Sequence, residues 1–501
     1  MSGTMQLNEQ ATAFLAREQR MLIDGHWVSA ASGKVFDVID PATGKVIARV
    51  PEAAEEDIDA AVRAARRTFD NGVWRNLSAD ERSRILWRLG DLIERNYAEL
   101  AQLETLNNGM PAAFAQFTIQ GASSWFRYYA GMITKIYGKN ASGIVSGGGV
   151  DVHAYTAHEP VGVAALIVPW NGPIGEFAIK VAPALAAGCS CILKPAENTP
   201  LTALRLGELA LEAGVPPGVL NVVPGFGHIA GAALVRHPDV DKVSFTGSTA
   251  VGKQIVREAS QTLKRVTLEL GGKSPCIVFD DADFEQAIPA ASMGIFANTG
   301  QVCFAGSRLY VQKKSFDKVV AGIAEHAARI PIGNGLDPTK LLGPLISAKQ
   351  LQRVSAYIDE AQEQGAELVC GGQRHGDEGY FMQPTIFANV RRDMRILTEE
   401  VFGPVLVATP IDDVREIIRA ANDTRYGLGA GIFTTDVNKA HLVARELRAG
   451  NVWVNCYGLM HPAMPFGGFK ESGWGRELGP DGLDAYLEKK SVFVQLKAGV
   501  V

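Results

Sequence analysis

Between Val161 and Asp280, short apolar runs alternate with longer stretches whose apolar positions recur every three or four residues. The runs Val161–Val168, Cys189–Leu193, Val219–Val223, Val243–Phe245, Val266–Leu270 and Cys276–Phe279 predict strands. Ile174–Ala187, Leu201–Ala213, Ile229–Arg236 and Ala250–Ser260 predict the helices between them. Strands apolar on both faces and alternating with helices form a parallel sheet covered on both sides. Such a sheet binds ligands at the carboxyl ends of its strands, and Asn171, Lys194, Thr246 and Glu269 fall there. A second α/β pattern runs from near Phe284 to about Gly479, with strand-like Leu309–Val311 and Val452–Asn455 and helix-like Ser347–Gln364. Val150–His158 and Ser491–Leu496 alternate apolar with polar residues, as half-exposed strands that need covering do.

A chain of 501 residues exceeds one ordinary core, so two or three domains are expected. Hydrophobic residues at 47% and charged residues at 21% fit a soluble globular enzyme. A net charge of −5 argues against nucleic-acid or anionic-membrane partners, which call for concentrated Lys and Arg. Met1–Arg20 lacks the apolar core of a secretory signal, and no apolar run is long enough to span a bilayer. The six cysteines form no CxxC pair and no zinc-like cluster, which predicts reduced thiols, a cytoplasmic setting and no metal. Cys189-Ser190-Cys191 reads as small residues heading a buried strand.

The chemistry is concentrated in four short strings. Gly300-Gln301-Val302-Cys303 offers a thiol and Val168-Pro169-Trp170-Asn171-Gly172-Pro173 an amide. Leu268-Glu269-Leu270-Gly271-Gly272-Lys273 and Glu399-Glu400-Val401-Phe402-Gly403-Pro404 each offer a carboxylate. These are the parts needed to oxidise an aldehyde through a thioester, because a cysteine thiolate attacks readily and later leaves readily. In this order and spacing the strings resemble the NAD(P)-dependent aldehyde dehydrogenase superfamily, from about residue 20 to residue 497.

The resemblance implies an α/β fold in three parts. A Rossmann-like parallel-sheet cofactor domain would comprise 20–140 and 161–270, and a second α/β catalytic domain 271–479. A small β oligomerisation arm would comprise 141–160 and 480–501, in an assembly that is usually a homotetramer and sometimes a dimer. It further implies that Cys303 is the nucleophile, with the Asn171 amide and the Cys303 backbone N–H as oxyanion donors. One such donor is typically worth ~3–4 kcal/mol. Glu269 would be the general base for water, and Glu477 an aid to proton exit.

For the cofactor, Gly225-Phe226-Gly227-His228-Ile229-Ala230 matches GxGxxA, but no acidic residue ends a strand about 20 residues later, so the Rossmann fingerprint is discounted. The family instead sets its pyrophosphate against Phe245, Gly247, Ser248 and Val251, where a turn opens a helix whose N–H groups suit an anion. Val168, Pro169, Trp170, Gly227, Gly231, Leu270 and Gly271 join this set, with Glu400 and Phe402 at the nicotinamide end. Lys194 and Glu197 would hold the adenosine ribose. Glu197 disfavours NADP, since a like-charge pair at ~4 Å costs up to about 4 kcal/mol at an effective dielectric near 20. NAD is therefore the expected cofactor.

The substrate positions depart from the common pattern. Gly172 stands where many relatives carry an aromatic residue, and Ile179 where many carry Trp. Gly175 and Glu176 fall where bulkier or apolar residues are common. A tunnel lined by Gly172, Glu176, Phe177, Phe304, Met460 and Phe466 would admit a bulky aryl or terpenoid aldehyde. Leu22-Ile23-Asp24-Gly25, Asp40-Pro41-Ala42-Thr43-Gly44 and Asn221-Val222-Val223 resemble phenylacetaldehyde-type members. Three rivals are weaker. A CoA-acylating semialdehyde dehydrogenase typically lacks the base that Glu269 supplies, and a non-catalytic member should have lost Cys303 or Asn171. A cofactor-free cysteine hydrolase would need a histidine motif that none of the nine histidines forms.

Overall fold

The computed structural model describes residues 6–145 and 151–496. The apolar runs of the first unit become five parallel strands: β1 (Val163–Ile167), β2 (Ser190–Lys194), β3 (Leu220–Val222), β4 (Lys242–Thr246) and β5 (Arg265–Glu269). Every residue of β1, β2 and β4 is buried, as a strand covered on both faces requires. Their spatial order is β5-β4-β1-β2-β3. The order reverses at β1, so the chain leaves β1 and β4 toward opposite faces and opens a crevice between them. Asn171 follows β1, and Gly247-Ser248 follows β4. Antiparallel segments close both edges: Met21–Ile23 and His26–Val28 beyond β3, and Gly473–Trp474 on β5.

A second sheet of seven strands runs in the order Glu367–Cys370, Thr385–Ala388, Val405–Pro410, Arg308–Val311, Pro275–Val278, Gly429–Phe433, Asn451–Val454. Only its first strand is antiparallel to its neighbour. Here the pattern-based reading needs correction. Pro275–Val278, counted with the first unit because the alternation runs to Asp280, lies near the middle of this second sheet. An apolar run announces a strand but not which sheet it enters. A third, antiparallel sheet joins Asn140–Val145, Asp151–Pro160 and Leu487–Gln495, with Asp151–Pro160 in the middle. Val150, where the alternation begins, and 497–501 lie outside the described residues.

Five helices bear on the crevice: α1 (Tyr97–Asn108), α2 (Ala112–Met132), α3 (Pro173–Ala187), α4 (Thr249–Ala259) and α5 (Ala348–Glu363). α3 starts with Pro173 in its first turn and stops at Gly188, whose φ of 102° suits a glycine cap. α1 is buried along most of its length, yet three polar side chains near its end are spent on bracing loops. Glu104 accepts from the Ile174 N–H at 3.1 Å and from the Thr202 hydroxyl at 2.8 Å. Asn107 donates to the Asn198 carbonyl at 2.9 Å and accepts from the Leu201 N–H at 2.8 Å. Asn108 donates to the Trp170 carbonyl at 2.6 Å and accepts from the Met110 N–H at 3.1 Å. The loops after β1 and β2 are thus tied to one buried helix. Asn108→Ala removes the donor to Trp170, and an orphaned buried partner costs about 1–3 kcal/mol. The unfolding midpoint of that variant should fall in a denaturant titration; an unchanged midpoint would show that the Trp170 loop does not depend on this brace.

Candidate active site

The nucleophile loop has an unusual backbone. After the helix Phe284–Phe296, residues Asn298, Thr299 and Gly300 have φ of 49°, 58° and 68° in succession. Asn tolerates this left-handed region, but a β-branched Thr does so only under constraint. Gly300 is required twice over, because a Cβ there would also run into the Gly403 carbonyl. Hydrogen bonds impose the conformation. Asn298 Nδ2 donates to the Asn171 carbonyl at 2.8 Å, and Asn171 Nδ2 donates to the Gln301 carbonyl at 3.0 Å. The Thr299 hydroxyl donates to the Gly343 carbonyl at 2.8 Å, and Gln301 Oε1 accepts from the Ile346 N–H at 2.9 Å. Asn171 and Cys303, 132 positions apart in the chain, are brought together by this clasp.

A cavity of about 240 Å³ holds Asn171, Cys303, Glu269, Thr246, Gly247, Ser248, Glu400 and Phe402 among its walls. Glu269 is 2% exposed, and neither carboxylate oxygen has a hydrogen-bond partner. Burial, and then the charge of Glu477, hold its carboxyl well above the usual range, against the pull of Lys180 and Arg476. A Cβ on Gly467 would lie 2.7 Å from Glu269 Oε1, so the bare glycine makes room for this carboxyl. Burial also pushes the Cys303 thiol well above its ordinary value, and Glu176, Glu400 and Glu269 add to the effect in that order. The sulfur thus lies among carboxyls whose charge opposes its own ionisation.

The far end of the cavity suits an anionic, planar-ended cofactor. Ser248 caps α4, its hydroxyl accepting from the Val251 N–H at 3.4 Å, so the positive end of an eleven-residue helix faces the crevice. Glu400 lies against Gly271 and accepts from the Gly272 N–H at 3.0 Å, and burial raises its carboxyl to about 7. Phe402, with φ of 59°, meets Trp170 edge to face at 5.2 Å, forming a flat apolar clamp. Lys194 is 2% exposed and 3.9 Å from Glu197, and burial lowers its ammonium to about 8. Gly231 packs beneath the Lys194 stem, whereas a Cβ at Gly227 would meet nothing within 4 Å. Among the described residues no group of three His, Cys, Asp or Glu gathers to hold a metal, and no helix is long and apolar enough to cross a membrane.

A polar cluster leads from the cavity into the protein. The Lys180 ammonium pairs with Glu477 and donates to the Ser244 hydroxyl at 3.1 Å. Ser244 and Thr246 share one face of β4, and Thr246 pairs in register with Glu269 on β5. Glu477 in turn forms backbone bonds of 2.6 and 2.7 Å with Phe466. Phe466, Phe304 and Trp453 make an aromatic wall, with ring centroids 5.8 and 5.4 Å from Phe304, and half-buried Met460 packs on the same core.

One side chain is misassigned by the sequence reading. Phe177 is fully buried against Phe126 of α2 and is no part of the tunnel. Helical spacing turns position 177 away from the face shared by 172, 176 and 180. Leu270 turns its side chain into the core, where it packs on Gly252 of α4. Of the other positions, Val168 and Phe245 are buried at the crevice floor, and Val251 is half exposed on α4. Trp453, Asn298, Gln301, Gln350 and Arg353 escaped the sequence reading. Gln350 and Arg353 on α5 reach the cavity and donate to the Phe402 and Glu400 carbonyls at 2.7 and 2.9 Å. Their one available signal was the i, i+3 spacing of two long polar side chains on a predicted helix.

The sequence model of the aldehyde dehydrogenase family matches residues 27–492. The putative aldehyde dehydrogenase DhaS of Bacillus subtilis (strain 168) is 49% identical over 497 residues, covering 99% of both chains. Human retinal dehydrogenase 2 is 47% identical over 480 residues, 95% of this chain and 92% of its own. The NAD+ complex of an aldehyde dehydrogenase from Bacillus cereus superposes with a TM-score of 0.96 at 48% identity, over 99% of this chain and 100% of that one.

The electrostatics around Cys303 generate a direct test. In the cofactor-free protein, iodoacetamide should label Cys303 with a pH midpoint above the ordinary cysteine value of about 8.5. Mass spectrometry across a pH series checks this, and a midpoint below that value would show that some unrecognised cation stabilises the thiolate.

Proposed function

The chain belongs to the aldehyde dehydrogenase family, and on that premise we propose that it oxidises a bulky apolar aldehyde, aryl or terpenoid, to the acid with NAD. The observation that carries the reading is the single cavity in which thiol, amide and unpaired carboxylate face a helix N-terminus and an acidic, aromatic clamp. Cys303 attacks the aldehyde carbon. The Asn171 amide N–H not used by Gln301 and the Cys303 backbone N–H take the oxyanion. NAD, when bound, supplies the hydride acceptor. Ser248 and the first turn of α4 would hold its pyrophosphate, Lys194 and Glu197 one ribose, and Glu400 and Phe402 the nicotinamide end. Cys303 is left as a thioester. Glu269, kept poor at ionising by burial, becomes the base that takes a proton from water and lets the acid and thiol depart. Lys180, Ser244 and Glu477 give that proton a route inward from Glu269. The negative charge of Glu197 favours NAD over NADP.

A bulky substrate is supported by two features. A Cβ on Gly172 would meet nothing within 4 Å, so an unfilled volume lies where a side chain could stand. Phe304, Phe466 and Trp453 supply an apolar wall, and retinal, named for a relative at 47% identity, is a terpenoid aldehyde of this kind. Hydrolysis rather than acyl transfer to CoA is supported by Glu269. Assembly, as a homotetramer or dimer, is supported by the arm sheet, whose two outer strands each pair on one side only among the described residues and whose Phe493 is 68% exposed.

Rates of reduced-cofactor formation across aliphatic, aryl and terpenoid aldehydes, with NAD, NADP and CoA varied, test the reading. Turnover should need NAD and no CoA and vanish in Cys303→Ala. Glu269→Gln should still form about one equivalent of reduced cofactor per site while steady turnover drops by ~10²–10⁴; normal steady turnover would remove Glu269 from the role. Gly172→Phe fills the open volume. It should lower kcat/KM for the bulky aldehydes by roughly 10-fold or more, the scale of a ~1–3 kcal/mol steric difference, and spare short aliphatic ones. Equal loss for both classes would refute a tunnel sized by Gly172.

A further inference from the structure

The turn that carries Cys303 is closed by one hydrogen bond, from the Ala305 N–H to the Val302 carbonyl at 3.0 Å. Cys303 and Phe304 are its two central residues. Among the described residues the Cys303 N–H has no acceptor, so it is free for a substrate oxygen. It shares one rigid trans peptide with the Val302 carbonyl and points the opposite way. The bond that closes the turn therefore aims the Cys303 N–H. The Ala305 N–H shares its own peptide with the Phe304 carbonyl, and that carbonyl accepts from the Tyr457 hydroxyl at 2.7 Å. A chain of hydrogen bonds thus runs from Tyr457 through the peptides 304–305 and 302–303 to the free N–H, and each bond in such a chain strengthens the next. Tyr457 lies 153 positions from Phe304, in the loop beyond the strand Asn451–Val454. Its ring fills a slot made by glycines of three segments. A Cβ on Gly294 in the helix Phe284–Phe296, on Gly306 just past the turn, or on Gly431 in the strand Gly429–Phe433 would come within 3.1, 3.1 and 2.5 Å of that ring. The Gly306 N–H donates to the Gly294 carbonyl at 2.9 Å and ties two walls of the slot together. Trp453 lies against the same ring, centroids 5.1 Å apart. The hydroxyl is thereby held on the Phe304 carbonyl.

We propose that Tyr457 is a positioning residue for the oxyanion: its hydroxyl, acting through the peptides 304–305 and 302–303, aims and polarises the Cys303 N–H. This rests on the aldehyde-oxidising reading, in which that N–H and the Asn171 amide receive the oxygen of the tetrahedral adduct. Asn171 holds the nucleophile loop where it enters, at the Gln301 carbonyl, and Tyr457 holds it where it leaves, at the Phe304 carbonyl. Tyr457 is not among the walls of the cavity, so its effect on the reacting atoms is carried by the backbone of the turn. Gly272 packs on the same turn from the opposite side, where a Cβ would lie 2.4 Å from the Cys303 carbonyl. The peptide between Cys303 and Phe304 is thus confined as well, and a change at Tyr457 is passed on to the N–H and not absorbed by the turn.

The test compares two reactions of one sulfur in Tyr457→Phe, which deletes the donor and keeps the ring. Iodoacetamide loses iodide without developing an oxyanion, so the rate of Cys303 labelling should stay within about two-fold of the unaltered protein. With the protein in excess over aldehyde and NAD saturating, the single-turnover rate constant for reduced cofactor should fall by about 10-fold. That is short of the ~10²–10³ for outright loss of an oxyanion donor, because the N–H is misaimed and not removed. The rate constant reads the chemistry of folded chains, and the labelling stoichiometry counts them. Slower turnover with unchanged labelling supports the proposal. An unchanged rate constant overturns it, and so does equal slowing of both reactions, since Tyr457 would then only shape access to the thiol. Should Tyr457→Phe take up no label, Gly306→Ala serves in its place, keeping the hydroxyl but crowding it from 3.2 Å. The same split, in smaller measure, then supports the proposal, and an unchanged rate constant overturns it. No reduced cofactor from the unaltered protein with any aldehyde of the panel would instead refute the aldehyde-oxidising reading itself.

Discussion

The reciprocal hydrogen bonds between Asn171 and the loop 298–301 are the constraint on which the site depends. Asn171 belongs to a loop leaving the first sheet, and Cys303 to a loop entering the second, so neither sheet alone contains a reactive centre. The amide both positions the nucleophile loop, through one N–H and its backbone carbonyl, and keeps a second N–H for chemistry. The left-handed run at Asn298, Thr299 and Gly300 shows how strongly this loop is held. Residues in that region cost of order 1–3 kcal/mol each when not glycine, and they persist only where the surroundings over-determine them. Here the surroundings are named bonds to Asn171, Gly343, Pro344 and Ile346.

The second organising fact is electrostatic. Burial opposes ionisation of Cys303, Glu269, Glu176 and Glu400 alike, and neighbouring carboxyls add to it for the first three. Such a pocket disfavours negative charge on its thiol and its carboxyls together. It becomes reactive when charge can move to places prepared for it: the Asn171 amide, the end of α4 and the Lys180 ammonium. The helix dipole and the buried Lys180 ammonium give the pocket a direction, from the sulfur outward to the cofactor side and inward to Glu477.

Much of this was legible in the chain. Fully apolar runs identified β1, β2 and β4 to within a residue or two, because a strand buried on both faces leaves no ambiguity of period. α3 was legible from its Pro and Gly boundaries. Cys303, Asn171, Glu269 and Glu400 were legible through short strings, and they do meet in one cavity. What stayed hidden depends on three-dimensional neighbours. The sheet joined by Pro275–Val278, the burial of Phe177 and the bracing by Glu104, Asn107 and Asn108 are set by packing, which no local pattern records. Glu176 could be seen as odd in the sequence, but only the fold sets it beside Thr246, Lys180 and Glu477.

The short segment Gly473–Trp474 closes the free edge of β5, pairing Leu268 with Trp474 and Glu269 with Gly473. Around it the Leu270 N–H donates to the Ser472 carbonyl at 2.9 Å, and the Ser472 hydroxyl donates to the Gly271 carbonyl at 2.7 Å. The whole second sheet is made between β5 and the segment that seals it. During vectorial synthesis the strand bearing Glu269 therefore waits with an open edge, a standing invitation to pair with another chain. The contact that ends this exposure spans 204 positions, from Glu269 to Gly473, and is correspondingly slow to form. Completion of the catalytic pocket therefore waits on a segment that follows the whole second sheet, and not on the strands of the first sheet alone.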